Sequence, residues 1–225
     1  MKNTRMKHKR AFLISLEGIE GSGKTTQCRK LAAYLRRQGM RVAVLREPGS
    51  SKFGEEMRRI LLHGRGTISP LTETLLFMAA RAELVRQKVA PGLLRYDVVI
   101  IDRYVDATVA YQGYGSDVDL RLIDELNKQA SAGVMPDMTL LFDLDPRVGL
   151  KRCGQDDRFE RRALEFHLRV RCGYLALSRR QPQRFRVIPV EGAVGEVFAR
   201  VQKAVEYGLR TRTGSGRRSR VGCRH

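Results

Sequence analysis

The sequence predicts an α/β fold: a three-layer sandwich in which helices cover both faces of a parallel, doubly wound sheet of five strands, with a short lid. Three observations predict this fold. Short, continuous apolar runs alternate with longer helical patterns, as in sheets that are buried on both faces. A glycine-rich loop joins the first apolar run to the first helical pattern. No internal repeat or linker divides the body of the chain.

The predicted strands are short runs rich in Val, Ile, Leu and Phe. They are residues 11–17, 41–46, 97–102, 138–143 and 184–190. The predicted helices lie between and after them, at residues 25–38, 53–62, 70–94, 105–111, 120–132, 146–153, 157–180 and 194–207. Gly39 is expected to end the first helix, because glycine readily adopts the left-handed conformation of a helix C-terminus.

Residues 18–25 read GIEGSGKT and fit G-x-x-x-x-G-K-[ST], the phosphate-binding loop of P-loop NTPases, in its required place between a strand and a helix. The glycines allow backbone N–H groups to surround a phosphate, and the helix N-terminus points its free amides at the same anion. Lys24 is expected to reach the β- and γ-phosphates of ATP, and Thr25 to hold Mg²⁺. The expected ATP ligands are Gly18, Ile19, Glu20, Gly21, Ser22, Gly23, Lys24, Thr25 and Thr26.

A carboxylate, Asp102, ends the apolar run 98–101. Behind a phosphate loop, such an aspartate is expected near Mg²⁺, usually through water. The alternative is an aspartate that only caps the helix that follows.

The chain has 225 residues and 42% apolar content, which suits one domain, expected at residues 11–209. The longest apolar run is too short to span a membrane. The cysteines are scattered without a CxxC pair, which predicts neither a zinc site nor a disulfide framework and favours a reducing cytoplasm.

The net charge is +19, and much of it lies at the two ends. Residues 1–10 contain five Lys or Arg and residues 210–225 contain six Arg, with no acidic residue in either segment. We expect both segments to be basic tails, the second one disordered, because they have little apolar surface to bury. Contact of the tails with nucleic acid would be electrostatic and without sequence preference.

Six sequence blocks occur in an order that resembles one family, the thymidylate kinases. They are LEGIEG at 16–21, REPGS at 46–50, LLFMAAR at 75–81, DRYVDATVAYQG at 102–113, PDMTLLFDLDP at 136–146, and DRFE at 157–160 with the helix after it. Together the blocks extend over about residues 11–207. The resemblance implies transfer of the γ-phosphoryl group of ATP to dTMP with Mg²⁺, giving dTDP for dTTP synthesis, by a homodimer.

The resemblance also implies the acceptor site. Arg103 would hold the acceptor phosphate, Phe77 would stack on thymine, and Gln112 would bond the base edge. The implied dTMP ligands are Glu20, Arg46, Pro48, Phe77, Arg81, Arg103, Tyr111 and Gln112. Without the family match, Phe77 and Tyr111 could be core aromatics, and Arg81 could be a solvated charge on a helix.

The lid, about residues 151–162, departs from the family pattern because it is short. Some thymidylate kinases place an arginine in the phosphate loop, where this chain has Gly21, so a lid arginine is expected to neutralise the migrating phosphoryl group. Arg158 is the first candidate and Arg152 the second, ahead of Arg161 and Arg162. The expected catalytic set is therefore Lys24, Asp102, Arg103, Arg158 and Arg152.

Two further departures are Ala107, where the signature usually has Ser, and Ser50-Ser51 in place of Gly-Thr. Three other functions stay open at this point. They are a kinase for another nucleoside monophosphate, a nucleic-acid-binding ATPase that uses the basic tails, and an inactive kinase that only binds its nucleotides.

Overall fold

The computed structural model describes residues 10–64, 66–154 and 157–214. Its strands form one parallel sheet in the order β2-β3-β1-β4-β5, which confirms the predicted fold class. Every strand lies within one residue of its predicted bounds. The strands are β1 (Phe12–Glu17), β2 (Val42–Arg46), β3 (Val98–Asp102), β4 (Met138–Asp143) and β5 (Phe185–Pro189).

Helices lie between the strands and after the last one. In the described part of the chain the α-helices are α1 (Lys24–Arg37), α2 (Lys52–His63), α3 (Pro70–Leu84), α4 (Ala90–Arg95), α5 (Val105–Thr108), α6 (Leu120–Ala130), α7 (Pro146–Lys151), α8 (Leu164–Arg180) and α9 (Val194–Gly214). Gly39 follows α1 with a φ of 81°, so its predicted role at the end of that helix is confirmed.

Two predicted helices are interrupted by wider, π-helical turns. The predicted helix 70–94 consists of α3, the π-helical stretch Val85–Val89, and α4. Pro91 accounts for the change, because it has no N–H to donate to the residue four positions earlier and its ring crowds that carbonyl. The second π-helical stretch, Val109–Gly115, continues α5 beyond the predicted end at residue 111. Such turns often occur at functional sites.

The predicted helix 157–180 begins seven residues later than expected, so the prediction for residues 157–163 was wrong. The Asp157 carboxylate accepts the backbone N–H groups of Phe159 and Glu160, at 2.8 and 3.0 Å. This local turn competes with a helix, as aspartate side chains often do. Ala163, with a ψ of 153°, is extended and marks the start of α8.

The C-terminal helix is longer than predicted. α9 continues to Gly214, past the expected end at residue 207 and into the segment expected to be a disordered tail from residue 210. The rest of the two predicted tails, residues 1–9 and 215–225, lies outside the described residues. Arg10 forms an ion pair with Asp137, 2.6 Å between Nη2 and Oδ1. No helix among the described residues combines the length and apolarity that a membrane span requires.

The core has one apolar layer on each face of the sheet. Phe12, Ile14 and Leu16 of β1 belong to the larger layer, while Leu13 points to the smaller one with Leu84 of α3. This alternation follows from the two-residue period of a strand. Helices therefore cover both faces, which gives the three layers predicted.

The register of the strands determines where the site lies. Leu16 of β1 and Arg46 of β2 both pair with Asp102 of β3. Because the strands are parallel, the segments that follow β1, β2 and β3 leave the sheet side by side at its carboxyl edge. Ligands of open α/β sheets bind at this edge.

Candidate active site

The phosphate loop connects β1 to α1 in a conformation that requires glycine. Gly18, Gly21 and Gly23 have φ values of 140°, 68° and 80°. A Cβ on Gly21 would lie 2.2 Å from the carbonyl oxygen of Gly149 in α7. α1 begins at Lys24, so the loop and the helix N-terminus are contiguous. The loop thus has the geometry that brings backbone amides around an anion.

The Lys24 ammonium group lies within the loop. It donates to the carbonyl oxygens of Gly18 and Ile19, at 3.0 and 2.7 Å, and to the Ser22 hydroxyl at 3.2 Å. Burial, helped by the neighbouring Arg103, lowers the pKa of Lys24 to about 8. Ser22 is buried, and Thr25 and Thr26 are exposed at the start of α1.

Thr25 and Asp102 meet at the mouth of the loop. The Thr25 hydroxyl donates to Asp102 Oδ2 at 3.1 Å. Mg²⁺ prefers oxygen ligands such as hydroxyl and carboxylate oxygens, so the pair fits the predicted metal position. Within residues 10–64, 66–154 and 157–214, no three His, Cys, Asp or Glu side chains converge as a metal cage.

A cavity of about 290 Å³ opens next to the loop. The predicted dTMP ligands Glu20, Arg46, Pro48, Phe77, Arg81, Arg103, Tyr111 and Gln112 all line it, together with Lys24, Thr25 and Asp102. The structure therefore brings the predicted acceptor residues to one place, beside the predicted ATP phosphates.

Arg103 follows β3 with a φ of 65°, a left-handed conformation that is rare for a residue with a side chain. Its guanidinium donates to the Gly18 carbonyl at 3.0 Å, to Glu20 Oε1 at 2.8 Å and to the Tyr174 hydroxyl at 3.3 Å. It also lies 4.7 Å from the centre of the Tyr111 ring. These contacts hold a cation between the phosphate loop and the cavity.

Glu20 is the common partner in this part of the site. Burial alone would raise its pKa, but Arg103, His167 and Lys24 lower the value to about 2. The Tyr111 hydroxyl donates to Oε1 at 2.6 Å, and His167 Nδ1 lies 3.3 Å from Oε2. Glu20 is thus a fixed negative charge.

Arg81 is fully buried, so the alternative of a solvated charge is wrong. It forms an ion pair with Glu47, with Nε 2.8 Å from Oε1, and it donates to Thr108 at 2.8 Å and to Asn127. Burial opposes the charge of Arg81, but Glu47 raises its pKa above the usual value. Thr108, next to the unusual Ala107, therefore bonds Arg81.

The two aromatic side chains combine packing with access to the cavity. Tyr111 belongs to the larger core layer and is 5% exposed, and Phe77 packs against that layer. Phe159, from the lid, lies 5.9 Å from Phe77 and 5.8 Å from Tyr111 between ring centres. The side of the cavity formed by these rings is therefore apolar and suits a base.

The lid arginines occupy different places. Arg152 Nη1 approaches the Gly21 carbonyl of the phosphate loop at 3.4 Å. Arg158 donates to the carbonyls of Gly64 and Gly66 after α2, at 2.8 and 3.2 Å, and is not among the residues that line the cavity. The structure thus brings Arg152, and not Arg158, to the phosphate loop.

The sequence analysis missed Arg58 as a cavity residue. Arg58 of α2 lines the cavity and donates to the Pro48 carbonyl at 3.2 Å, and burial and the neighbouring Arg46 lower its pKa. Such crowding of cations indicates a place for an anion. Arg58 lies ten residues beyond Pro48 on an otherwise ordinary basic helix, so its spacing gave no signal.

Glu17 was also missed. Burial and the neighbouring Asp106 raise its pKa to about 7. It accepts the backbone N–H of Tyr104 at 2.8 Å and the Tyr174 hydroxyl at 2.9 Å. The signal was available, because Glu17 ends a buried strand just as Asp102 does.

Comparison with known proteins agrees with this geometry. The thymidylate kinase family model matches residues 16–201. A thymidylate kinase of Synechococcus sp. (strain JA-2-3B'a(2-13)) is 47% identical over 195 residues, which cover 87% of this chain and 94% of the relative. One from Desulfosudis oleivorans is 45% identical over 206 residues, covering 87% and 96%. The thymidylate kinase structure from Ehrlichia chaffeensis superimposes with a TM-score of 0.74 at 34% identity, covering 88% of this chain and 99% of that one.

Proposed function

The chain belongs to the thymidylate kinase family, and from that premise we propose that it transfers the γ-phosphoryl group of Mg-ATP to dTMP, giving dTDP for dTTP synthesis. One observation carries the proposal: a cavity lined by all the predicted acceptor residues opens directly beside the phosphate loop. Two anions must meet there in line, so catalysis consists mainly of positioning and charge neutralisation.

ATP bound in the loop would supply the phosphoryl group. Thr25 and Asp102 would help to hold Mg²⁺, which would supply neutralisation of the phosphate charge. Lys24 exchanges its loop carbonyl partners for phosphate oxygens. Residues 18–26 are proposed as the phosphate cradle, on the support of the loop geometry described above.

The acceptor phosphate is assigned to Arg103, with Arg58 and Arg46 beside it. The planar guanidinium group of Arg103 suits bidentate binding of phosphate, and its contact with Glu20 holds it in place before the substrate arrives. Tyr111, which bonds the same carboxylate, would crowd the 2′ position of the sugar and favour deoxyribose.

The base would lie between Phe77 and the Pro48 side of the cavity, with Gln112 and Arg81 at its polar edge. The guanidinium of Arg81 already donates to protein atoms, namely those of Glu47, Asn127, Tyr104 and Thr108. The expected bond from Arg81 to the base therefore requires one of these hydrogen bonds to be exchanged. Gln112 is therefore the more available base contact.

For the lid we propose that either Arg152 or Arg158 stabilises the migrating phosphoryl group. The contact of Arg152 with the phosphate loop supports Arg152. Arg158 would have to leave the carbonyls after α2 when the lid closes over ATP.

The remaining parts of the proposal concern assembly, location and the tails. A homodimer through α3 is supported by Leu71 and Leu75, one helical turn apart and each 47% exposed. A cytoplasmic location is supported by the free cysteines Cys28, Cys153 and Cys172. Nucleic-acid contact through the tails stays a prediction, to be tested by salt-dependent binding before and after their deletion.

A coupled ADP assay with dTMP, dCMP, UMP and GMP tests the function. We expect turnover of dTMP, and its loss in Lys24→Ala with the fold retained. Turnover of another monophosphate with none of dTMP would refute the assignment. Binding of dTMP and ATP without formation of ADP would indicate an inactive kinase instead. The family match gives no support to a kinase for another monophosphate or to a nucleic-acid-binding ATPase.

A further inference from the structure

The side-chain amide of Gln112 is held in one orientation by a buried carboxylate. Gln112 lines the cavity but is only 1% exposed, and its Nε2 donates to Glu73 Oε1 at 2.9 Å. Glu73 lies in the first turn of α3 and is completely buried. Glu73 is not among the residues that line the cavity.

The second oxygen of Glu73 has a partner of its own. Arg162, at the end of the lid, donates from Nη2 to Glu73 Oε2 at 2.6 Å and from Nη1 to the Ser116 hydroxyl at 2.9 Å. The Arg162 guanidinium also stacks 4.4 Å from the centre of the Phe166 ring. Paired with a guanidinium in this way, Glu73 acts as a carboxylate.

A carboxylate can only accept hydrogen bonds, so Gln112 can meet Glu73 only with its NH₂ group. The reversed amide would set the Gln112 carbonyl oxygen against a carboxylate oxygen in a buried place, which is strongly unfavourable. The amide oxygen Oε1, an acceptor, is therefore fixed on the side away from Glu73, where a ligand in the cavity can donate to it.

We propose that Glu73 is a positioning residue for base specificity. It fixes the Gln112 amide so that Oε1 accepts a hydrogen bond from the N3–H group of the base. This inference rests on the proposed function. The pairing edge of thymine has one donor, N3–H, between two carbonyl acceptors. Cytosine has an acceptor at N3, so a fixed carbonyl oxygen would face the N3 lone pair and repel it. Uracil has the same N3–H as thymine, so this device separates thymine from cytosine and not from uracil.

The variant Glu73→Gln tests the proposal because its outcome is set by donor and acceptor rules. Arg162 is a donor only, so the carbonyl of the new glutamine turns to it and the new NH₂ group turns to Gln112. Gln112 then accepts with Oε1 and presents NH₂ to the cavity. The cavity then offers a donor at this position, which favours cytosine, with its N3 acceptor, over a base that carries N3–H.

The measurement is kcat/KM for dTMP, dUMP and dCMP in the coupled ADP assay. In Glu73→Gln we expect the dTMP/dCMP ratio to fall by about 10- to 100-fold, the effect of one mismatched buried hydrogen bond. The dTMP/dUMP ratio should stay within about threefold of wild type, because both bases carry N3–H. An unchanged dTMP/dCMP ratio, or an equal fall in both ratios, would overturn the proposal.

A matched control and a second variant separate positioning from general damage. Asp106→Asn removes the charge of another buried pair, with Arg184, whose two members do not line the cavity, and it should lower stability without changing either ratio. Gln112→Met removes the amide, and Glu73→Gln should then have no further effect on the dTMP/dCMP ratio. A persistent effect in that background would show that Glu73 acts by another route.

If Glu73→Gln does not fold, Gln112→Met carries the test, since it leaves the pair of Glu73 and Arg162 intact. A fall in the dTMP/dCMP ratio alone supports the proposal, and a wild-type ratio overturns it. Absence of dTMP turnover in the wild-type enzyme would instead count against the proposed function, so the two failures are distinguishable.

Discussion

The ion pair of Glu47 and Arg81 gives the sharpest prediction about stability. Their side chains are 2% and 1% exposed, and Nε of Arg81 lies within 3.1 Å of both carboxylate oxygens. The change Glu47→Gln keeps the size of the side chain and one carbonyl acceptor. It removes the countercharge, so the guanidinium remains buried with only neutral partners, among them Asn127 and Thr108.

The expected loss follows from this burial. Removal of one partner of a buried ion pair costs about 3–5 kcal/mol. Because the glutamine carbonyl still accepts a hydrogen bond, we expect the lower end, about 3 kcal/mol. For a domain of this size, each kcal/mol shifts the unfolding midpoint by about 2–4 °C, so Tm should fall by about 6–12 °C.

Urea and thermal unfolding followed by circular dichroism measure the effect. A double-mutant cycle with Arg81→Met isolates the interaction of the pair. The double variant should lose less free energy of unfolding than the sum of the two single variants, by at least about 1 kcal/mol. Glu83→Gln is the matched control, because Glu83 pairs with Arg86 on the exposed surface, and it should unfold at the wild-type midpoint. Strict additivity of Glu47→Gln and Arg81→Met would refute the reasoning.

Three further predictions concern catalysis. Because burial lowers the pKa of Lys24 to about 8 and a bound triphosphate favours its charged form, the affinity for Mg-ATP should be constant below pH 8. Above pH 8 the affinity for Mg-ATP should fall by up to about tenfold per pH unit. Calorimetry at pH 7 and pH 9 measures the difference, and equal affinities at the two pH values would contradict the role of Lys24. In steady-state assays, Arg103→Ala should raise KM for dTMP by about 10- to 100-fold and leave KM for ATP within about threefold of wild type. A larger change in KM for ATP would indicate that Arg103 binds the phosphate donor instead. Arg152→Ala should lower kcat by more than Arg158→Ala does, since only Arg152 approaches the phosphate loop; the reverse order would return the role to Arg158.

Much of the fold could be predicted because its signals are local. The strands are short runs rich in apolar residues, and the phosphate-loop motif consists of consecutive residues. The error at residue 157 is local too: the side chain of Asp157 competes with the helix for backbone N–H groups, which periodicity alone does not reveal. The interruption before α4 has a visible cause in Pro91, which removes a backbone N–H donor from the helix.

The site was harder to predict where it depends on tertiary contacts. The residues that the resemblance assigned to the acceptor do line one cavity, but Arg58 and Glu73 lie on helices whose sequences do not distinguish them from ordinary charged residues. The partner of Arg158 could not be foreseen either, because a long side chain reaches carbonyls 92 and 94 residues away in sequence. Only the folded chain shows which arginine of the lid meets the phosphate loop.

The shared oxygen of Glu20 has a consequence for redesign of this enzyme. The Tyr111 hydroxyl and the Arg103 guanidinium both donate to Oε1, so the group proposed to lie next to the sugar and the group proposed to bind the acceptor phosphate share one partner. Shortening Tyr111 to admit ribonucleotides would also loosen Arg103. Laboratory evolution toward such substrates should therefore recover paired substitutions at Tyr111 and Glu20, rather than single changes at either position.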